Sequence, residues 1–329
     1  MKKILMVSTG GTIASTMTEK GFASTLSGDE ILEIAGIDKS AVEITIENLF
    51  SIDSTLMQPE DWVAIAEAIS GAYEQYDGFV VTHGTDTMSY TASMLAYMLG
   101  PINKPVIITG SMKTVAEEGT DAVDNLKDTF TAAQEQLEGV YVVFNHLLIR
   151  GCRVSKLKSE QYDAFVSVNF PVIAEIHDGS VSYKVKPMRN RKGLNLDTRF
   201  DTNLAVLKFF PGLNPDIVKT LYDAGYGALV LESYGTGGIP YRRRDIASEV
   251  EKVAGKIPIV LTTQVVYDGV NLHTYEVGQR ALETGVISAF DMSKEASITK
   301  LMWAMGRTKD PKEVKEIMYA DYTGEISAD

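Results

Sequence analysis

Two threonine-bearing turns and one lysine stand out as groups that could do chemistry together. Thr12 follows Thr9-Gly10-Gly11, Thr85 and Asp86 follow His83-Gly84, and Lys156 ends the run Arg153-Val154-Ser155-Lys156. A threonine hydroxyl is a weak nucleophile at its free pKa and needs a base or a chain of proton acceptors to become useful. A second hydroxyl and a lysine whose pKa is lowered by desolvation would supply such a chain, and an aspartate would hold the ammonium or bind a substrate amine. Each residue also has an ordinary reading. A strand running into Gly-Gly-Thr can be no more than a tight turn, and a lone lysine is usually a solvated surface group.

Other chemistries fit less well. The glycines of the first turn are adjacent, where a dinucleotide-binding turn requires G-x-G-x-x-G, and the phosphate-binding pattern G-x-x-x-x-G-K-[ST] is absent. The four histidines, His83, His146, His177 and His273, are dispersed, and no pair has the i, i+4 spacing of a helical metal site. The nucleophile-elbow pattern G-x-S-x-G is missing as well. Neither a metal nor a cofactor is expected. His83, at a strand end beside Gly84, reads as a hydrogen-bonded structural histidine rather than a general base.

For the two turns to act together, the chain must place them at one edge of a sheet. Ile4-Leu5-Met6-Val7 reads as a buried strand that stops at Gly10-Gly11, and Gly78-Phe79-Val80-Val81-Thr82 ends in the same way at His83-Gly84. Val106-Ile107-Ile108-Thr109 repeats the pattern before Gly110-Ser111. Helical segments lie between them, one opened by the capping-box residues Ser27 and Glu30, one by Gln58-Pro59-Glu60-Asp61, and one running from Met88 to Leu99. Strands alternating with helices predict a parallel sheet with right-handed crossovers. Ligands bind outside the carboxyl ends of the strands in such a sheet, so Thr12, Thr85 and Asp86 would face the ligand space. The polar stretch from Ser15 to Ser27, with Gly21 as a hinge, is expected to be a surface loop or a lid.

The fold class is therefore α/β, and 329 residues exceed what a single core organises. Regular patterning fails between Lys184 and Thr202, which divides the chain into a larger N-terminal parallel-sheet domain (1–186), a linker (187–203) and a smaller C-terminal α/β domain (204–329). A net charge of −13 argues against nucleic acid or an anionic membrane as a partner. The single cysteine, Cys152, forms no internal disulfide, which fits a reducing compartment. The apolar run after Met1-Lys2-Lys3 is too short for a secretory signal, and no window reaches the roughly 20 apolar residues of a membrane span. A cytoplasmic protein is expected.

Thr9-Gly10-Gly11-Thr12-Ile13-Ala14 together with His83-Gly84-Thr85-Asp86-Thr87-Met88 closely resembles the paired signatures of the bacterial-type L-asparaginases, most of all the cytoplasmic type I branch and its archaeal relatives. The resemblance runs on through Asp53-Ser54, Thr109-Gly110-Ser111, Arg153 to Lys156, Thr262-Thr263-Gln264 and Asp291 to Ala296. It implies an amidohydrolase in which Thr12 attacks the side-chain amide carbon of L-asparagine, releasing ammonia and leaving an acyl-enzyme that water hydrolyses to L-aspartate. Thr85 and Lys156 would manage protons, Asp86 would grip the substrate α-ammonium, and Asp53 and Ser54 would bind its α-amino and α-carboxylate groups. Backbone N–H groups near Thr85 and Ser111 are the expected polarising donors. The resemblance also implies a homodimer or a dimer of dimers.

Two departures from the family pattern stand out. Phe22 occupies the place of a loop tyrosine that touches the nucleophile, and Gly238 that of an asparagine contributed by a neighbouring subunit. A glutaminase or dual-specificity amidase stays open, as does a catalytically weak ligand-binding homologue on account of Phe22. An amidotransferase component that supplies ammonia for glutaminyl-tRNA synthesis would be expected to carry an extra domain before the first motif, which here begins within ten residues of Met1.

Overall fold

The computed structural model describes the whole chain except Lys20, Lys39, Ala41, Asn190, Arg191, Thr274, Ala328, Asp329 and the side chain of Phe22. It comprises two compact units, Met1–Thr198 and Arg199–Asp329.

In the first unit the opening apolar run forms β1 (Lys2–Gly10), buried from Ile4 onward. A 3-10 turn over Thr12–Ala14 leads into the hairpin of β2 (Ser15–Thr18) and β3 (Gly21–Ser24). The stretch expected as a loop or lid is thus paired backbone, anchored where the Thr25 and Leu26 N–H groups both donate to the Ala14 carbonyl. Helix α1 (Gly28–Ile34) opens on the expected Ser27–Glu30 capping box, and β4 (Val42–Ile52) follows. Helix α2 (Pro59–Ala72) has its proline and its acidic residues in the first turn. Then come β5 (Gly78–Thr82), α3 (Met88–Leu99), β6 (Pro105–Thr109), α4 (Ala122–Gln134) and β7 (Gly139–Phe144). The unit ends with β8 (Leu147–Arg150), β9 (Val154–Lys156), β10 (Phe165–Ser167), β11 (Ala174–His177) and β12 (Ser180–Tyr183).

Eight strands form one sheet in the order β12-β11-β8-β7-β6-β5-β1-β4. The five from β7 to β4 are parallel, as expected, and β8, β11 and β12 extend the sheet antiparallel. The extension arises because only Asn145 and His146 join β7 to β8, too few for a parallel crossover. Both sit at positive φ, 48° and 65°, as a tight hairpin turn of matching twist requires. Along β1 the alternation of side chains divides the cores. Ile4 and Met6 pack with Ile31 and Leu32 of α1 and Leu126 and Phe130 of α4, while Leu5 borders Ala68 and Ala72 of α2.

Because β4 and β5 flank β1 on opposite sides, the path across the sheet reverses direction between β1 and β5. A ligand crevice opens at such a reversal, outside the carboxyl ends of the strands. The turns leaving β1 and β5 touch there, backbone against backbone. A Cβ on Gly11 would lie 2.3 Å from the Gly84 nitrogen, and one on Gly84 would lie 2.6 Å from Ser54 Oγ. One on Gly110, after β6, would lie 2.2 Å from the His83 carbonyl oxygen. Gly11 also has φ +83°, where a side chain is strained in any surroundings.

The second unit is a four-stranded parallel sheet in sequential order, β13 (Leu204–Lys208), β14 (Ala228–Ser233), β15 (Ile259–Thr263) and β16 (Ile287–Ser288). Helices α5 (Asp216–Asp223), α6 (Ile246–Val253) and α7 (Glu276–Glu283) connect the strands, and α8 (Lys294–Met305) and α9 (Pro311–Tyr319) follow. Its C-terminal segment is fastened from within. Lys300 and Glu325 are fully buried and paired at 2.7 Å, and the ammonium also donates to the carbonyls of Met318 (3.0 Å) and Ala320 (2.6 Å). Burial opposes ionisation of Glu325, but the Lys300 ammonium and a hydrogen bond from Asp321 outweigh it and hold the carboxyl at about 2, below its ordinary 4.5.

Gly11→Ala is expected to lower the unfolding midpoint in urea, since its Cβ would meet the Gly84 main chain at 2.3 Å; an unchanged midpoint would show that the turns separate cheaply. Lys300→Met leaves Glu325 buried without its counter-charge and should cost about 3–5 kcal/mol, read as a lower unfolding midpoint in urea. Because the folded Glu325 pKa is depressed, its stabilisation is complete above pH 4.5 and drains away as pH falls towards about 2, so the gap between parent and variant should narrow over that window.

Candidate active site

Thr12 is the first residue of the 3-10 turn that leaves β1. The turn is closed by the Gly11 N–H on the Ile52 carbonyl (2.9 Å) and by the Ala14 N–H and Ser15 hydroxyl on the Gly11 carbonyl (3.0 Å each). Thr9 Oγ1 donates to the Thr82 carbonyl at 2.7 Å, which stitches the ends of β1 and β5. Thr12 itself is half-buried, and its hydroxyl makes no hydrogen bond among the described residues.

One residue beyond the Gly84 contact, Thr85 is 6% exposed. Lys156, at the end of β9, donates from Nζ to Thr85 Oγ1 at 2.7 Å and to Asp86 Oδ1 at 2.6 Å. The lysine side chain is 15% exposed, so the solvated-surface reading does not apply, whereas the Asp86 carboxylate is 55% exposed and open to a further cation. With an N–H arriving at its oxygen, the Thr85 hydroxyl keeps its own proton to give elsewhere.

Ser54, from the turn after β4, joins the same cluster. Ser54 Oγ accepts the Asp86 N–H at 3.2 Å and the Ser54 carbonyl accepts Thr87 Oγ1 at 2.8 Å. The buried Ser54 hydroxyl therefore also retains its proton for an outside acceptor. Asp53 is exposed and spends Oδ1 on capping its own turn, accepting from Thr55 N and Oγ1 at 2.8 and 2.7 Å.

Ser111 is fully buried, and its hydroxyl turns back to the Lys113 carbonyl. Two residues that sequence reasoning missed hold this turn. The Asp121 carboxylate accepts the N–H groups of Met112 and Lys113, and Asn125 Nδ2 donates to the Gly110 carbonyl at 3.0 Å. Their only signal was an acid just before a helix with an amide four residues on.

His83 is structural in the sense expected. It is fully buried, its N–H donates to the Thr109 carbonyl, Nδ1 lies 2.7 Å from the Gly84 carbonyl oxygen, and Nε2 lies 2.9 Å from Thr91 Oγ1. Burial pushes its pKa down to about 4. Phe22 belongs to β3, opposite Met17, and its side chain lies outside the described residues. Gly238, within the second unit, donates its N–H to the Tyr234 carbonyl at 2.8 Å. Among the described residues no three His, Cys, Asp or Glu side chains are placed to hold a metal ion, and no helix is long and apolar enough to cross a membrane.

The site thus offers an open hydroxyl, a second hydroxyl held by an ammonium, a half-exposed carboxylate and a buried serine donor, all at one sheet edge. Two family models match the chain: the asparaginase N-terminal model over residues 3–189 and the glutaminase/asparaginase C-terminal domain over residues 203–318. An L-asparaginase of Thermococcus kodakarensis is 45% identical over 326 residues, covering 99% of both chains. L-asparaginase 1 of Escherichia coli is 34% identical over 335 residues, covering all of this chain and 99% of that one. Among solved structures, the thermostable L-asparaginase from Thermococcus kodakarensis superimposes with a TM-score of 0.96 at 44% identity, covering 99% of this chain and all of that one. With both domains matched in order and the threonine turns joined at the sheet edge, the chain belongs to the asparaginase family.

Proposed function

We propose that this protein hydrolyses the side-chain amide of L-asparagine to L-aspartate and ammonia, with Thr12 as the nucleophile. The observation that carries this reading is the Lys156 ammonium shared between Thr85 and Asp86 on the very turn whose backbone touches that of Gly11, next to Thr12. Thr12 Oγ1 adds to the amide carbon as its proton passes to Thr85 Oγ1, and the proton already on Thr85 moves to the leaving nitrogen. The C–N bond breaks, ammonia departs, and the aspartyl ester on Thr12 remains. Water then attacks that ester while the relay runs in reverse and restores the Thr12 hydroxyl. Lys156 steadies the Thr85 oxygen through both transfers by donating to it.

The exposed side of the Asp86 carboxylate suits the substrate α-ammonium, and the Ser54 proton suits its α-carboxylate. The Thr85 N–H, which has no acceptor among the described residues, suits the developing oxyanion, and the Ser111 backbone serves as a second donor on the same reading. Self-association as a homodimer or a dimer of dimers is part of this proposal and is read by light scattering.

The test is ammonia release from L-asparagine and L-glutamine. Thr12→Ala should lose at least about 10³-fold in kcat, and Lys156→Met about 10²–10⁴-fold, with both variants still binding L-aspartate by calorimetry. Wild-type turnover of L-asparagine unchanged by Thr12→Ala would overturn the nucleophile. Preferred turnover of L-glutamine would overturn the substrate.

A further inference from the structure

We propose that His83 is a positioning residue whose imidazole, held as one neutral tautomer, aims the Thr85 N–H at the substrate carbonyl. This rests on the reading of Thr85 as an oxyanion donor and adds the device that orients it. The tautomer follows from the partners. The Gly84 carbonyl, 2.7 Å from Nδ1, can only accept, so Nδ1 carries the proton. Nε2 is then a lone pair and must accept the Thr91 hydroxyl at 2.9 Å. The Thr91 oxygen in turn accepts the indole N–H of Trp62 at 2.8 Å, which leaves its proton free to point at His83. The three bonds of this buried chain run in one direction, with Thr91 Oγ1 accepting from Trp62 and donating to His83.

The consequence reaches the site through one peptide plane. The Gly84–Thr85 bond is trans, so its C=O and N–H point in opposite directions. Fastening the Gly84 oxygen to His83 turns the Thr85 N–H away from the core, and that N–H has no acceptor among the described residues. Gly84 has no side chain to hold this plane, and the bonds from Lys156 to Thr85 Oγ1 and from the Asp86 N–H to Ser54 Oγ hold the turn beyond it, so among the described residues the His83 bond is the one made to the Gly84 carbonyl itself. Burial pushes the imidazole pKa down to about 4, so the same tautomer persists across the neutral range.

Two variants separate positioning from packing. His83→Leu removes the donor, and His83→Asn places an amide donor at nearly the position of Nδ1. His83→Leu should lower kcat on L-asparagine by about 10–100-fold, below the 10²–10³ for outright loss of an oxyanion donor, with KM within about threefold. His83→Asn should recover most of that loss. In parallel, the Thr85 amide resonance of threonine-labelled protein should move in His83→Leu and return in His83→Asn. An unmoved Thr85 amide in His83→Leu, or a kcat loss equal in both variants, would overturn the inference. Absence of wild-type turnover would instead sink the asparaginase reading, and the amide shift would still decide the role of His83.

Discussion

Everything at this site depends on two backbones meeting without side chains between them. Gly11 and Gly84 follow adjacent parallel strands, and the turns they form are close enough that a single methyl group on either would collide with main chain or with Ser54. Threonine is short, with its hydroxyl one bond beyond Cβ, so reactive oxygens on separate loops can serve one small amide only if the loops themselves are in contact. Glycine costs about 0.5–1 kcal/mol of ordering at each such place relative to alanine. The long strands and the fully buried β5 and β6 behind the turns hold the arrangement against that cost.

Around this contact the polar groups divide by whether their partners are complete. His83, Thr91, Trp62, Asp121 and Asn125 spend their donors and acceptors on one another and on the backbone of the turns, which fixes those turns in one shape. Thr12, the protons of Thr85 and Ser54, and the outer side of Asp86 are left with capacity to spare. Groups with unused capacity on a framework with none is the arrangement that the proposed catalysis requires.

Two lysine–carboxylate pairs, one in each unit, make the same distinction. Lys300 in the second unit gives its protons to a carboxylate and two carbonyls in complete burial, and its effect is to fasten the C-terminal segment. Lys156 in the first pairs with a carboxylate that is half in water and with a hydroxyl that still owns a proton. The Lys300 pair is closed and structural, and the Lys156 pair is open to solvent on its carboxylate side, where the proposed reading seats the substrate ammonium. A net charge of −13 over the chain does not set the field at either place, because the nearest charges do.

Local patterning was enough to read the α/β class, the strands running into Gly10-Gly11, Gly84 and Gly110, the capping box at Ser27 and the structural nature of His83. Each of these is written within a few consecutive residues, as a period, a cap or a breaker. The sequence did not reveal the antiparallel edge, because β8, β11 and β12 are short and set by strand pairing, nor the β2–β3 hairpin, whose polar residues pair through backbone atoms. Nor could it reveal that Lys156 reaches Thr85 and Asp86 from about seventy positions away. The strand order that lays β1 beside β5, and the packing on α3 of the separate β9–β10 hairpin that carries Lys156, are properties of the folded chain, since contacts between distant segments leave no periodic trace in either one.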